Sequence, residues 1–152
     1  MRLSALLAAA TAATTVFALP SSTSAVSMAA DGAEWTILSL RRACNANDTL
    51  CAWSFAICAN GTPDTSVVGC NATVVAQGGA PASQSPGRNI SCGRYAVTSE
   101  WSGQFGPENG FTTLSVVDWQ DRLIAWPSYS DRDLEGGKVV VPDRSFAVQK
   151  LA

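Results

Sequence analysis

The residues that most constrain the fold are 51–58, because their side chains alternate in size along the chain. Cys51, Trp53, Phe55 and Ile57 are large and apolar, whereas the residues between them are Ala, Ser, Ala and Cys. Successive side chains of a β-strand point to opposite faces of a sheet, so this period of two indicates a strand with one face in a core. We therefore expect the large set to be buried and the small set to face away from the core.

Similar short apolar runs follow one another along the chain, separated by Gly, Pro and polar residues. None of them carries the i, i+3, i+4 stripe of an amphipathic helix beyond about ten residues. The sequence therefore predicts an all-β fold, a single antiparallel β-barrel or sandwich of about seven short strands stabilised by disulfides. Residues 78–87, rich in Gly and Pro, are expected to form a flexible loop. The predicted strands lie at residues 35–40, 51–58, 67–75, 91–99, 111–117, 122–126, 139–141 and 145–151.

The first residues have the pattern of a secretory signal peptide. A positive start at Arg2 precedes an apolar run, and Val16 and Ala18 stand where signal peptidase accepts small or aliphatic side chains. The run is too short to span a bilayer. We expect a signal peptide at 1–18, a flexible polar lead-in at 19–33, and a domain at 34–152 that is secreted to the extracellular space. Cleavage after Ala25 and a buried N-terminal helix are the alternatives.

Five cysteines follow this segment, and in an oxidising compartment we expect them to form disulfides. Counting does not select a connectivity, but position does. Cys44 and Cys51 flank a short polar loop, and Cys70 and Cys92 lie in separate strands on either side of the Gly/Pro-rich loop. Cys58 points away from the core side chains of its strand, so it is predicted to be an unpaired thiol that could link two chains into a dimer. No cysteine pair has the spacing of a zinc or redox motif.

Four Asn-x-Ser/Thr triplets begin at Asn47, Asn60, Asn71 and Asn89, and each is a candidate N-glycosylation site. A glycan is bulky and hydrated, so each modified Asn must lie on the surface. In the strand at 67–75 an outward Asn71 would also turn the residues at 73 and 75 outward, with 70, 72 and 74 inward.

The absence of histidine excludes several classes of chemistry. Ser-His-Asp and Cys-His hydrolases and His-ligated metal sites all require an imidazole. The net charge is −2 and the basic residues are scattered, which argues against a nucleic-acid surface. The Asp clusters lack the loop pattern of a calcium site. We therefore predict no catalytic residue, no metal, no cofactor, no nucleic-acid partner and no membrane span.

Two carbohydrate-directed functions are the alternatives. A glycoside hydrolase needs a proton donor and a second carboxylate at a fixed separation, and the candidates are Glu100, Glu108, Asp118 and Asp121. A carbohydrate-binding module needs a row of exposed aromatic residues, and the candidates are Trp101, Trp119, Trp126 and Tyr129. The simpler interpretation of both sets is turn residues in solvent and aromatic residues in the core.

A recognition surface is predicted in the segment between Trp101 and Phe111. Three glycines and a proline keep this segment out of a regular strand, which favours a loop at an open end of the fold. Recognition concentrates its free energy in a few exposed aromatic or charged side chains, here predicted to be Trp101, Gln104, Phe105 and Glu108. The alternative is that Trp101 and Phe105 plug the barrel.

Several motifs resemble fungal small secreted proteins labelled hypersensitive-response-inducing and are more distantly similar to the β-barrel family of the major Alternaria allergen. They are Trp35-Thr-Ile, the Cys44 to Cys51 loop, Trp53-Ser-Phe-Ala-Ile, Trp101-Ser-Gly-Gln-Phe-Gly, Gly110-Phe-Thr-Thr-Leu-Ser-Val-Val-Asp118, Pro127-Ser-Tyr-Ser-Asp131 and Pro142-Asp143. The resemblance covers roughly 34–151 and brings no catalytic residue. It implies a glycosylated, non-enzymatic, elicitor- or effector-like protein of a filamentous fungus, recognised by a protein or polysaccharide at a host or cell surface. The alternatives are a carbohydrate-active cell-wall protein and a structural or antigenic surface protein.

Overall fold

The structure is a computed structural model, and it describes residues 29–59 and 67–152. In these two ranges the chain forms nine strands, which corrects the expectation of about seven. The strands are β1 (Ala29–Cys44), β2 (Leu50–Ala59), β3 (Val67–Val75), β4 (Gly87–Cys92), β5 (Tyr95–Ser102), β6 (Phe111–Asp118), β7 (Leu123–Ala125), β8 (Ser128–Ser130) and β9 (Arg144–Lys150). No helix in the described part of the chain is long and apolar enough to cross a membrane.

The strands form one antiparallel sheet that curls into a nearly closed barrel. Its order is β3-β2-β1-β9-β7-β6-β5-β4, and β8 pairs with the first half of β6. The two edge strands, β3 and β4, meet without a hydrogen-bonded ladder between them, and the Cys70–Cys92 disulfide joins them. They approach closely, because a Cβ at Gly93 would lie 2.8 Å from Val68 Cγ1. The predicted all-β, disulfide-stabilised barrel is confirmed.

Three strands differ from the sequence prediction. The apolar run at 91–99 is split into β4 and β5 by a tight turn in which Gly93 has a φ of +57°. Ser128–Ser130 is an additional short strand against β6. The run at 139–141 is not a strand, because it makes one isolated bridge, between Val139 and Arg41 of β1.

The first described strand overlaps the segment predicted to be a lead-in. β1 starts at Ala29, and Ala29 pairs with Gln149 of β9, so the last residues of the predicted lead-in at 19–33 are part of the sheet. The predicted signal peptide at 1–18 and residues 19–28 lie outside the described residues and stay a prediction.

A bulge in β1 decides which of its side chains enter the barrel. Trp35 and Ile37 are buried, and the register against β2 then shifts between Leu38 and Arg41. Ser39 lies in this shift with a φ of +51°. An extra residue in one strand reverses the alternation beyond it, so the buried positions become Leu40 and Arg42. A charged side chain thereby enters the end of the barrel.

The core fills the barrel with side chains from most of the strands. Trp53 and Phe55 are buried and Ala52 is exposed, as the alternation in β2 predicts. Asn71 faces outward from β3. The larger members of the core are Trp35, Ile37, Leu40, Trp53, Phe55, Ile57, Tyr95, Val97, Leu114, Val116, Tyr129, Leu134 and Val148.

The two ends of the barrel carry different loops. One end, called here the cleft end, holds the loops at 45–49, 76–86, 103–110 and 131–137. The opposite end holds the turns at 93–94 and 119–122. The loop predicted to carry recognition therefore lies at the cleft end, beside the end of β1 that contains Arg42.

Candidate functional site

The loop between β5 and β6 projects an aromatic side chain into solvent. Phe105 is 66% exposed and stacks on Phe111, with ring centroids 5.9 Å apart. Gln104 and Glu108 are exposed on the same loop. The alternative that Phe105 plugs the barrel does not hold for this structure, since the ring lies outside the core.

Hydrogen bonds within the loop fix its shape. The backbone nitrogens of Gly106 and Asn109 donate to the carbonyls of Gly103 and Gly106, each at 3.0 Å. Asn109 Nδ2 donates to the Phe105 carbonyl at 3.1 Å. Gly106 has a φ of +95°, which a residue with a Cβ rarely adopts. The exposed ring is thus carried on a loop that is ordered before any contact is made.

Trp101 holds the base of this loop and is half-buried. Its Nε1–H donates to Asp131 Oδ2 at 2.8 Å. Its ring lies so close to Gly103 and Gly110 that a Cβ at either glycine would collide with the indole or with the Asp131 carboxylate. Of the four residues predicted for the recognition surface, Trp101 therefore acts as the support and the other three are exposed.

Asp131 connects that support to the buried arginine of β1. Both terminal nitrogens of Arg42 contact Asp131 Oδ1 at 3.4 Å, and Arg42 Nη1 donates to the Ser83 carbonyl at 3.0 Å. The guanidinium also lies over the Trp53 ring, 5.7 Å from its centroid. Arg42 is 7% exposed, and its Nε is a buried donor with no hydrogen-bond partner among the described residues.

The loop at 76–86 is hydrogen-bonded to the loop at 45–49, which lies between Cys44 and Cys51 of the first disulfide. Asp48 Oδ1 accepts from the Ser83 backbone nitrogen at 2.9 Å, and its other oxygen accepts from the Ser83 hydroxyl. The Asp48 carbonyl accepts from the Ala82 nitrogen at 2.7 Å. These bonds order a 3-10 turn at Ala82–Gln84 in the segment predicted to be a flexible loop.

A bidentate ion pair braces the fourth loop, at 131–137. Arg144 of β9 donates to both oxygens of Asp133, at 3.0 and 2.7 Å. The Ser130 hydroxyl and backbone nitrogen also donate to Asp133. Mainly because of the Arg144 bonds, the pKa of Asp133 falls to about 2.

These loops enclose an open cleft of about 790 Å³. Its walls are the end of β1, Asp48, Ser83, Pro107 with Glu108, and most of the loop at 131–137. Arg41, Arg132, Glu108 and Glu135 stand around it, and none of them forms an ion pair with a residue that the structure describes. The cleft therefore presents both positively and negatively charged side chains to a ligand.

The carboxylates considered for hydrolysis are not brought together. Glu100 lies on the outer side of β5 and pairs with Arg88 at 2.9 Å. Glu108 is on the cleft, whereas Asp118 and Asp121 are at the opposite end of the barrel, both paired with Arg94. Asp118 Oδ1 also accepts from the backbone of the turn that follows it. These two acids thus fix a turn, as the simpler interpretation proposes.

The aromatic residues considered for sugar binding do not form one row. Tyr129 is 2% exposed and belongs to the core. Trp101 is half-buried at the cleft end, while Trp119 is exposed in a turn at the opposite end. Trp126 is 50% exposed between β7 and β8. A carbohydrate-binding surface is therefore not favoured.

The remaining predicted sites are on the surface or in disulfides. Asn47, Asn71 and Asn89 are exposed, and Asn60 lies outside the described residues. The two disulfides of the described chain are Cys44–Cys51 and Cys70–Cys92. Neither includes Cys58, which is 2% exposed and whose Sγ lies 3.8 Å from the Ala59 carbonyl oxygen. A dimer through this thiol would require the end of β2 to open.

The comparisons with known proteins agree with this description. A family model described as "Effector TSP1" matches residues 36–151, which is more than half of the chain. The chain belongs to the effector TSP1 family. A relative described as "Effector TSP1", from Hypocrea virens (strain Gv29-8 / FGSC 10586), is 46% identical over 140 residues, covering 92% of this chain and 91% of the relative. The matched region includes the cleft-end loops.

Membership of this family supports the prediction that the chain is a fungal, effector-like protein. An effector family and intramolecular disulfides are consistent with secretion. The label hypersensitive-response-inducing and the similarity to the Alternaria allergen barrel stay predictions.

Proposed function

We propose that this protein is a secreted, glycosylated, non-enzymatic effector that is recognised at a host or cell surface through the cleft-end loop carrying Gln104, Phe105 and Glu108. The observation that carries the proposal is the exposed Phe105 ring on a hydrogen-bonded loop. Binding hot spots are enriched in large aromatic side chains, and a segment that is already ordered loses little conformational entropy on contact. Phe105 is a large aromatic side chain, and the loop that carries it is already ordered, so it has both properties of a hot spot.

The positions of the four carboxylates considered for hydrolysis favour recognition over catalysis, because only Glu108 lies on the cleft. A hydrolytic pair needs two carboxylates on one cleft with a reacting bond between them. Glu100 and Asp118 instead form ion pairs on different parts of the barrel. On this proposal the acids that form ion pairs stabilise turns and loops, and Trp101 positions the recognition loop from beneath.

The test compares two exposed aromatic residues in different places. The purified domain and its variants are infiltrated into leaves over a range of doses, with heat-denatured protein as the negative control. We expect Phe105→Ala to reduce the response by about tenfold or more, as loss of a hot spot does. Trp126→Ala removes a similar exposed surface from the barrel wall and is expected to leave the response unchanged.

If Trp126→Ala reduces the leaf response and Phe105→Ala does not, the recognition surface lies on the barrel wall and the proposal is overturned. Pull-downs on chitin, β-glucan and cellulose accompany the assay, and retention on any of them would favour the carbohydrate-binding alternative. Mass spectrometry of protein secreted by a fungal host tests cleavage after Ala18 and glycans on Asn47, Asn60, Asn71 and Asn89.

A further inference from the structure

The cleft contains a buried arginine whose hydrogen bonds are incomplete. A guanidinium has five N–H donors and no acceptor. The Ser83 carbonyl takes one donor of Arg42, and Asp131 Oδ1 lies 3.4 Å from both terminal nitrogens. Charge-assisted hydrogen bonds of this type are usually about 2.7–2.9 Å long, so Asp131 is a loose partner.

The unused donors of Arg42 lie on one edge of the guanidinium. The contacts of both terminal nitrogens with one oxygen of Asp131 occupy the end of the fork, and Ser83 takes the other hydrogen of Nη1. What is left is Nε–H, which has no hydrogen-bond partner in the described part of the chain, and one hydrogen of Nη2. These two point the same way and match the two oxygens of a carboxylate.

The charged residues at the rim of the cleft indicate which other charges the ligand has. Arg41 and Arg132 are exposed cations without an ion pair to a described residue, and Glu108 and Glu135 are exposed anions in the same condition. A polyuronate or another polyanion would meet both carboxylates. A peptide with one acidic side chain between basic ones complements both signs.

We propose that the cleft binds a short peptide segment of the partner, with a carboxylate side chain of that segment on the unused edge of Arg42. This edge is closed to solvent in the structure, so binding requires the guanidinium to turn toward the ligand and to release its 3.4 Å contacts with Asp131. Arg132 and Arg41 add attraction for the carboxylate, and Glu108 and Glu135 take the basic neighbours. The volume of about 790 Å³ lies within the range of about 300–1,000 Å³ for ligand sites.

This inference names the partner chemistry for the proposed effector function and depends on that function for its biological use. The binding step is tested separately by NMR on the ¹⁵N-labelled domain. The probe is the peptide acetyl-Lys-Gly-Glu-Gly-Lys-amide, and its control carries Gln in place of Glu. We expect the Arg42 Nε–H resonance to shift and saturate with the Glu peptide and to stay unchanged with the Gln peptide.

Variants locate the site. Arg132→Gln is expected to weaken binding of the Glu peptide by about two- to fivefold, the upper part of the range for one exposed ion pair. Arg42→Lys keeps the charge and removes the fork, and is expected to weaken it more than tenfold. Arg88→Gln is the matched control, because Arg88 is an exposed arginine paired with Glu100 away from the cleft. It should leave binding unchanged.

Several results would overturn the inference. They are equal binding of the Gln peptide, no binding at millimolar concentration, an Arg132→Gln variant that binds like the parent, and tighter binding of tetragalacturonate than of the Glu peptide. If Arg42→Lys fails to fold, the affinity of the Arg132→Gln variant and the Arg42 Nε–H resonance of the parent still test the inference. A leaf response that depends on Phe105 while no peptide binds would refute the peptide site and leave the proposed function standing.

Discussion

The disulfide between the edge strands is expected to contribute more to stability than the other one, because it closes the barrel where hydrogen bonds do not. The test replaces Cys70 and Cys92 together by Ala, which avoids placing buried hydroxyl groups in the core. Their sequence separation is 22 residues, and the chain-entropy relation gives a loss of about 3.4 kcal/mol for a ring of that size. The matched control replaces Cys44 and Cys51, which are separated by 7 residues, for a loss of about 2.5 kcal/mol.

Chain entropy alone thus separates the two double variants by about 1 kcal/mol, and the structure predicts a larger gap. Without the Cys70–Cys92 bond, β3 and β4 are free to separate along their whole length, since no ladder joins them. We expect the edge-strand variant to lose clearly more free energy of unfolding than the control variant. Its melting temperature should lie roughly 10 °C or more below that of the parent protein. Its amides in β3 and β4 should also exchange faster. Guanidinium denaturation under non-reducing conditions measures the first effect and hydrogen exchange the second. A gap between the two losses of no more than about 1 kcal/mol, the difference that chain entropy alone gives, would refute the role of this bond in closing the barrel.

Two further predictions concern the core and the cleft-end loops. Phe55→Ala should cost about 3–5 kcal/mol by the cavity argument, whereas Ala52→Ser on the exposed face should cost under about 0.5 kcal/mol; equal losses in denaturant titrations would mean that β2 is buried on both sides. The pKa of Asp133 is lowered to about 2, mainly by the Arg144 bonds, so the stability it contributes is present above its unfolded pKa near 4 and is lost as the pH falls toward 2. The difference in melting temperature between the parent and Asp133→Asn should therefore shrink between about pH 5 and pH 2, and a difference that stays constant over that range would contradict the ion-pair account.

The strands with clear alternation could be predicted from the sequence, because a half-buried strand imposes a period of two on its residues. That rule found β2 and β3 with their inward and outward faces. It merged β4 and β5, since the Gly93 turn interrupts an apolar run without a long polar gap. It also missed β8, whose three residues become a strand only by pairing with β6.

The cleft could not be predicted from the sequence, because its position depends on the bulge in β1. Alternation counted from Trp35 places odd residues inward, which would leave Arg42 in solvent. The register shift between Leu38 and Arg41 reverses that parity, and nothing in the residues around Ser39 marks the bulge. The recognition loop was easier to locate, since its glycines and proline already exclude a strand. Its link to Arg42 through Asp131 is a tertiary contact between distant segments.

On the proposed function, the protein acts by recognition and not by acid–base catalysis. The most direct test replaces Glu100, Glu108, Asp118 and Asp121 one at a time by the matching amide and assays each folded variant for both leaf response and polysaccharide hydrolysis. We expect no hydrolysis from the parent and a response from every variant within about tenfold of the parent, because no single carboxylate carries out a chemical step. A folded amide variant that loses all response, together with hydrolysis by the parent that the same substitution abolishes, would contradict the account and identify a hydrolase.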